Sequence, residues 1–172
     1  ATSTMDQPVM KAVWILIKLA ILIAVCYVGW TYYQGTQADK ARAEELNRIH
    51  KLYNGEKWQE SIDAYEAFWA KYPDAKTAGR DKVSQAYCHL AIAMYSAGTN
   101  TDPGYGRAVE KFLKAKEYGT LDVESEALLA DCYTELKRYG EARKSIALVA
   151  AINPRRAALL RKNIELRKKR RR

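Results

Sequence analysis

Tyr139-Gly-Glu-Ala-Arg-Lys-Ser-Ile146 is the stretch on which the fold turns, because its pattern occurs twice more in the chain. Trp58-Gln-Glu-Ser-Ile-Asp-Ala-Tyr65 and Tyr105-Gly-Arg-Ala-Val-Glu-Lys-Phe112 have the same skeleton. An aromatic residue is followed three positions later by a small one (Ser61, Ala108, Ala142). A large apolar residue follows four after that (Tyr65, Phe112, Ile146). Helical spacing puts all three on one face, so each stretch predicts an amphipathic helix that packs closely at the small residue. The step from Tyr105 to Tyr139 is one period of a helical-hairpin repeat, about 34 residues. A proline follows the first and third stretches at Pro73 and Pro154, where it would end each helix.

The segments just upstream predict a partner helix for each. Leu129-Ala130 is followed by Tyr133, and Leu90-Ala91 by Met94, with Tyr87 in front. In the first copy Leu46, Ile49 and Tyr53 fit if the turn at Asn54-Gly55 is one residue short. On these residues the chain resembles the tetratricopeptide-repeat family over about 42–75, 84–122 and 123–156. An insertion at Thr99–Gly104 and a short preceding linker belong to the second copy. The resemblance implies an all-α domain over 42–156: a right-handed superhelix of about three helical hairpins with a concave groove. A capping helix and polybasic tail (157–172) would follow, with Leu159, Leu160, Ile164 and Leu166 covering the last hairpin and the cations facing water.

Upstream of this domain, Ala12 to Tyr33 form an apolar run whose one charge is Lys18. As a helix it is about 33 Å long, enough to cross a hydrocarbon core. Trp14 near one end and Trp30, Tyr32 and Tyr33 near the other match two interfacial aromatic belts. The run is too long for a signal-peptide core, and Val25 before Cys26 spoils a lipoprotein box. The expectation is a short tail (1–11), an uncleaved membrane helix (12–33) and a juxtamembrane linker or helix start (34–41). Lys18 either snorkels to the nearer interface or meets an acid or lipid phosphate, and Ala20 and Ala24 offer one close-approach pair. Lys40, Arg42, Arg48 and Lys51 outnumber Lys11 across the helix, which puts the soluble domain on the cytoplasmic side.

The formal net charge of +9 would point to nucleic acid if it were spread over the domain. Instead residues 39–154 are nearly neutral, and ten cations against Glu165 crowd into 155–172. The tail Arg167, Lys168, Lys169, Arg170, Arg171, Arg172 therefore predicts contact with anionic lipid or an acidic subunit, with nucleic acid disfavoured.

No catalytic, cofactor or metal constellation stands out. Cys26, Cys88 and Cys132 have no metal or disulfide spacing, and His50 and His89 lie in different repeats. Gly104-Tyr105-Gly106 lacks the rest of a phosphate loop. Glu124, Glu126, Asp131 and Glu135 read as a solvated or groove-lining face. The resemblance implies a protein-interaction module rather than an enzyme. Its inner positions are Gln85, Cys88, Ile92 and Tyr95, then Glu124, Ala127, Asp131 and Thr134. They are apolar then acidic, which disfavours a carboxylate clamp and suits an apolar or basic partner. Tyr87, Tyr95 and Tyr133 are candidate aromatic anchors, with packing inside the repeats as the plainer role. The expected function is a non-catalytic, membrane-anchored scaffold or accessory subunit of a larger respiratory, photosynthetic or secretory complex. The runner-up is a receptor or co-chaperone for translocating polypeptides.

Overall fold

The computed structural model describes residues 7–97 and 102–169, with side chains described from 13 to 97 and from 104 to 169. Ala1–Asp6, most of the Thr99–Gly104 insertion and Arg170–Arg172 lie outside the described residues. Among the described residues there are seven α-helices and no strand. They are α1 (Gln7–Asn54), α2 (Trp58–Lys71), α3 (Arg80–Ala97), α4 (Asp102–Tyr118), α5 (Val123–Glu135), α6 (Tyr139–Ile152) and α7 (Pro154–Lys169), with a 3-10 turn at Pro73–Ala75. The chain divides into two compact units, 1–47 and 48–172.

The first unit is the apolar part of α1. One stretch of this helix is long and apolar enough to cross a membrane, and none of it is buried within the protein. Its large side chains are all exposed, from 43% at Val13 to 76% at Tyr32. Residues 34–41, expected as a linker or helix start, are continuous helix.

In the second unit the most extensive packing is α3 on α4 and α5 on α6, followed by α7 on α6. The anticipated small-then-large skeleton lines the interior. Ser61, Ala108 and Ala142 have no exposed surface, and Tyr65, Phe112 and Ile146 are at most 1% exposed. With no bulk at the small positions, neighbouring helix backbones approach closely. A continuous core runs from Ala91 and Phe112 through Leu129, Tyr133 and Ile146 to Leu160 and Ile164 on α7.

Two turns match atom for atom, one between α1 and α2 and the other between α5 and α6. The amides of Gly55, Glu56 and Lys57 donate to the carbonyls of Lys51, Tyr53 and Leu52. Those of Leu136, Lys137 and Arg138 donate to Cys132, Thr134 and Tyr133. Glu56 and Lys137 both take the left-handed conformation, at φ 58° and 62°. The helices that follow end alike as well: Tyr72 N–H donates to Phe68 O and Asn153 N–H to Val149 O. The expectation of a first turn one residue short is therefore corrected. Its length equals the third, so Ile49 matches Ala130 and Leu52 matches Tyr133.

Proline explains both ends. The residue before it is kept out of the helical region, as at Tyr72 (φ −126°, ψ 77°) and Asn153 (φ −133°, ψ 83°). Pro154 then becomes the first residue of α7, where its missing amide costs nothing. The Asn153 side-chain oxygen caps that helix by accepting from Arg156 N–H at 3.0 Å. The second hairpin also begins earlier than expected, since α3 opens at Arg80 rather than near 84. The segment before it is clamped, with Trp69 Nε1 donating to Ala78 O at 2.9 Å.

Candidate interaction site

Helices α3, α5 and α7 of the second unit line an open cleft of about 290 Å³, bordered by Tyr95, Asp131, Thr134, Glu135, Asn163, Leu166 and Arg167. Its position follows from the helical period. Asp131 and Glu135 are one turn apart on α5, as are Asn163 and Arg167 on α7, so each pair faces the gap between those helices. Tyr95 closes the α3 side, half-buried and 5.8 Å from the Tyr105 ring.

Electrostatics separate the two cleft acids. Glu135 is bridged by Arg167. Burial pushes the Asp131 carboxyl up to about 6; Arg156 and Arg167 pull it down and Glu135 raises it, and burial prevails. No hydrogen-bonding side chain meets Asp131 among the described residues. The cleft thus offers a hydrogen-bonding carboxyl beside an aromatic ring, the arrangement that accepts a cationic or amide group from a partner.

The structure unites part of the expected groove. Tyr95, Asp131 and Thr134 share the cleft, although the Thr134 hydroxyl is turned back to donate to Ala130 O at 2.8 Å. Gln85 is elsewhere, accepting from the Tyr53 hydroxyl at 2.6 Å. Glu124 lies 3.6 Å from Arg156. Ala127 is fully buried; Cys88 and Ile92 are half-buried against the core. Burial raises the Cys88 thiol, with a Ser125 hydrogen bond acting against it.

Several further expectations need correction. Glu126 is not on the solvated face. Only 7% of its side chain is exposed, and it pairs with Lys116 at 2.8 Å between α4 and α5. Tyr87 and Tyr133, by contrast, take the plainer of the two roles expected of them, packing in the core at 8% and 6% exposure. Of the basic tail, Arg167 bridges Glu135, and Lys168 lies 3.3 Å from Glu165 and 5.3 Å from the Tyr139 ring centre. These two are paired, although Arg167 is exposed, as is Lys169. Of the four apolar residues assigned to capping, Leu160 and Ile164 are buried, whereas Leu159 and Leu166 are 56% and 46% exposed.

Sequence reasoning missed a second hollow. Leu121, Val123, Leu148, Ala151 and Ile152 line about 440 Å³ beside the Lys116–Glu126 pair, with Leu148 and Ile152 exposed at 56% and 72%. The signal was present: residues 146–152 of α6 are apolar nearly all round, more than one buried face requires.

On α1, Trp14, Ala20, Ala24, Trp30, Tyr32 and Tyr33 are all exposed. The Lys18 ammonium lies 5.8 Å from the centre of the Trp14 ring, one turn towards the N-terminus. Helical side chains lean in that direction, so the cation reaches towards the nearer end of the apolar run. His50 and His89 are both in aromatic contacts, His50 at 6.1 Å from Tyr65 and His89 stacked at 4.2 Å on Trp58. Burial lowers the His50 pKa, with Lys82 adding to the effect and Asp81 opposing it. Among the described residues no three His, Cys, Asp or Glu side chains are grouped to hold a metal ion. Comparisons with protein-family profiles, curated proteins and solved structures find no match.

Proposed function

We propose that this chain is a membrane-anchored, non-catalytic scaffold or accessory subunit, whose tetratricopeptide-type hairpins hold a partner of a larger membrane complex. The observation that carries this reading is the pairing of an unburied, membrane-length apolar helix with a helical unit that leaves an open cleft at Tyr95, Asp131 and Glu135. The tetratricopeptide assignment is supported by the one-period spacing of Tyr105 and Tyr139. The matched turns before α2 and α6 support it as well. A superhelix of three such hairpins would present α3 and α5 inwards, with α7 closing the last hairpin.

The partner group in the cleft is basic or amide-bearing, since a half-buried carboxyl and a bridged carboxylate meet it. The cations at Lys40, Arg42, Arg48 and Lys51 support a cytoplasmic side for the second unit. A cysteine at exposed Ala147 tests this side: an impermeant reagent applied to intact cells should leave it unlabelled.

A photo-crosslinker at Tyr95 in native membranes tests the function. The expected product is one adduct of fixed mass, reduced at least tenfold by Asp131→Lys. A ladder of unrelated adducts would instead indicate a receptor for passing polypeptides, and no adduct would remove the cleft as an interface.

A further inference from the structure

The exposed face of α7 has a second pattern, which shares only Leu166 with the cleft. Arg155, Leu159, Lys162, Leu166 and Lys169 follow one another at intervals of four, three, four and three residues, so they form a single line along the helix. All five are exposed. The opposite line, Ala157, Leu160 and Ile164, is buried against the core. Of the four other cations of the helix, Arg156 pairs with Glu124, Arg167 with Glu135 and Lys168 with Glu165, while Arg161 is exposed off this line. Arg155, Lys162 and Lys169 have no ion pair among the described residues.

Free cations by themselves are an ordinary solvated face, and scattered exposed leucines are common. Cations and leucines alternating along one line are more specific. They fit a surface that has anionic groups at one level and hydrocarbon directly beneath, with arginine and lysine stems reaching up while leucines point down. An anionic bilayer has that layering. An acidic protein surface accepts the cations but does not require leucines between them. The exposed leucines between the cations therefore select the membrane, and an apolar helix of spanning length in the same chain brings one to high effective concentration.

We propose that the outward face of α7 docks on the anionic headgroup surface of a bilayer, with Leu159 and Leu166 entering the acyl boundary and Arg155, Lys162 and Lys169 meeting lipid phosphates. This rests on the reading of α1 as a membrane anchor. It also makes α7 two-sided, because its inner line caps α5 and α6 while its outer line holds the unit to the membrane. The contact is weak alone and acts only on a chain already tethered.

The test uses the full chain with Cys26→Ser and Cys88→Ser, carrying Leu159→Cys labelled with a polarity-sensitive fluorophore. It is reconstituted into nanodiscs of phosphatidylcholine, or of phosphatidylcholine with part replaced by phosphatidylserine. The expected result is a blue-shifted emission in the anionic discs alone. High salt and the triple variant Arg155→Glu, Lys162→Glu, Lys169→Glu should each abolish it. Equal emission in both discs, shifted or unshifted, would overturn the docking while leaving the anchor intact. A chain that does not co-elute with either disc would instead overturn the anchor and the docking together.

Discussion

Glu56 and Lys137 hold the same left-handed backbone conformation at the same point of two equivalent turns. Neither is a glycine, although a Cβ in this region is crowded by the backbone. Replacement by glycine should therefore relieve strain. Glu56→Gly and Lys137→Gly are each expected to stabilise the soluble unit by about 0.5–1 kcal/mol. Urea unfolding of the full chain in detergent reads this out. Valine at either position should have the opposite sign.

Gly79 shows the reverse case. Its φ is +77°, and a Cβ there would collide with Cε1 of Tyr65, whose ring is fully buried. Gly79→Ala should destabilise by about 2–4 kcal/mol, since neither the backbone nor the packed ring can yield cheaply. The Tyr65 hydroxyl has no hydrogen-bond partner among the described residues. Tyr65→Phe should accordingly be neutral or slightly stabilising in the same unfolding assay.

These two sites also show what was legible in the sequence. The aromatic–small–apolar triplets located α2, α4 and α6, because a 3.6-residue period and a close-approach requirement leave a mark in residue type. The apolar run marked the membrane-length part of α1 for a similar reason. The length of the first turn was misread because Asn54-Gly55 looks like the turn, whereas Glu56 takes the positive φ. The direction of Glu126 was not legible either, since whether an acid on α5 faces the groove or Lys116 depends on how α4 crosses it. Likewise, four apolar residues on α7 cannot all be buried by two neighbours, and only the packed structure selects Leu160 and Ile164 over Leu159 and Leu166.

The Lys116–Glu126 pair is the most enclosed ion pair in the second unit among the described residues. Removing the cation leaves a carboxylate with little access to water. Lys116→Met is expected to cost about 3 kcal/mol, and Lys116→Met with Glu126→Leu to recover to within about 1 kcal/mol of the parent. A double-mutant cycle by chemical unfolding checks both values. Equal losses in the single and double variants would show that packing, not charge, is at stake.

Asp131 gives the cleft a pH dependence with a definite sign. Its carboxyl holds a proton up to about pH 6 in the folded chain but only to about 3.8 when unfolded. Between these values the folded state binds more protons at this group, so its contribution to stability falls as pH rises from 4 through 6. Asp131→Asn should flatten that slope and leave the variant more stable above pH 6 by about 1 kcal/mol, allowing for screening on its solvent side. Unfolding midpoints at pH 4, 5, 6 and 7 provide the comparison. A parent and an Asp131→Asn curve of equal slope over this range would contradict the burial of the carboxyl.

Native mass spectrometry of the full chain, extracted from its own membrane in a mild detergent, tests the scaffold most directly. The expected result is an assembly of fixed stoichiometry, well above the 19.6 kDa of one chain, that loses its partner with Asp131→Lys. A lone 19.6 kDa species under conditions that keep other membrane complexes intact would contradict it.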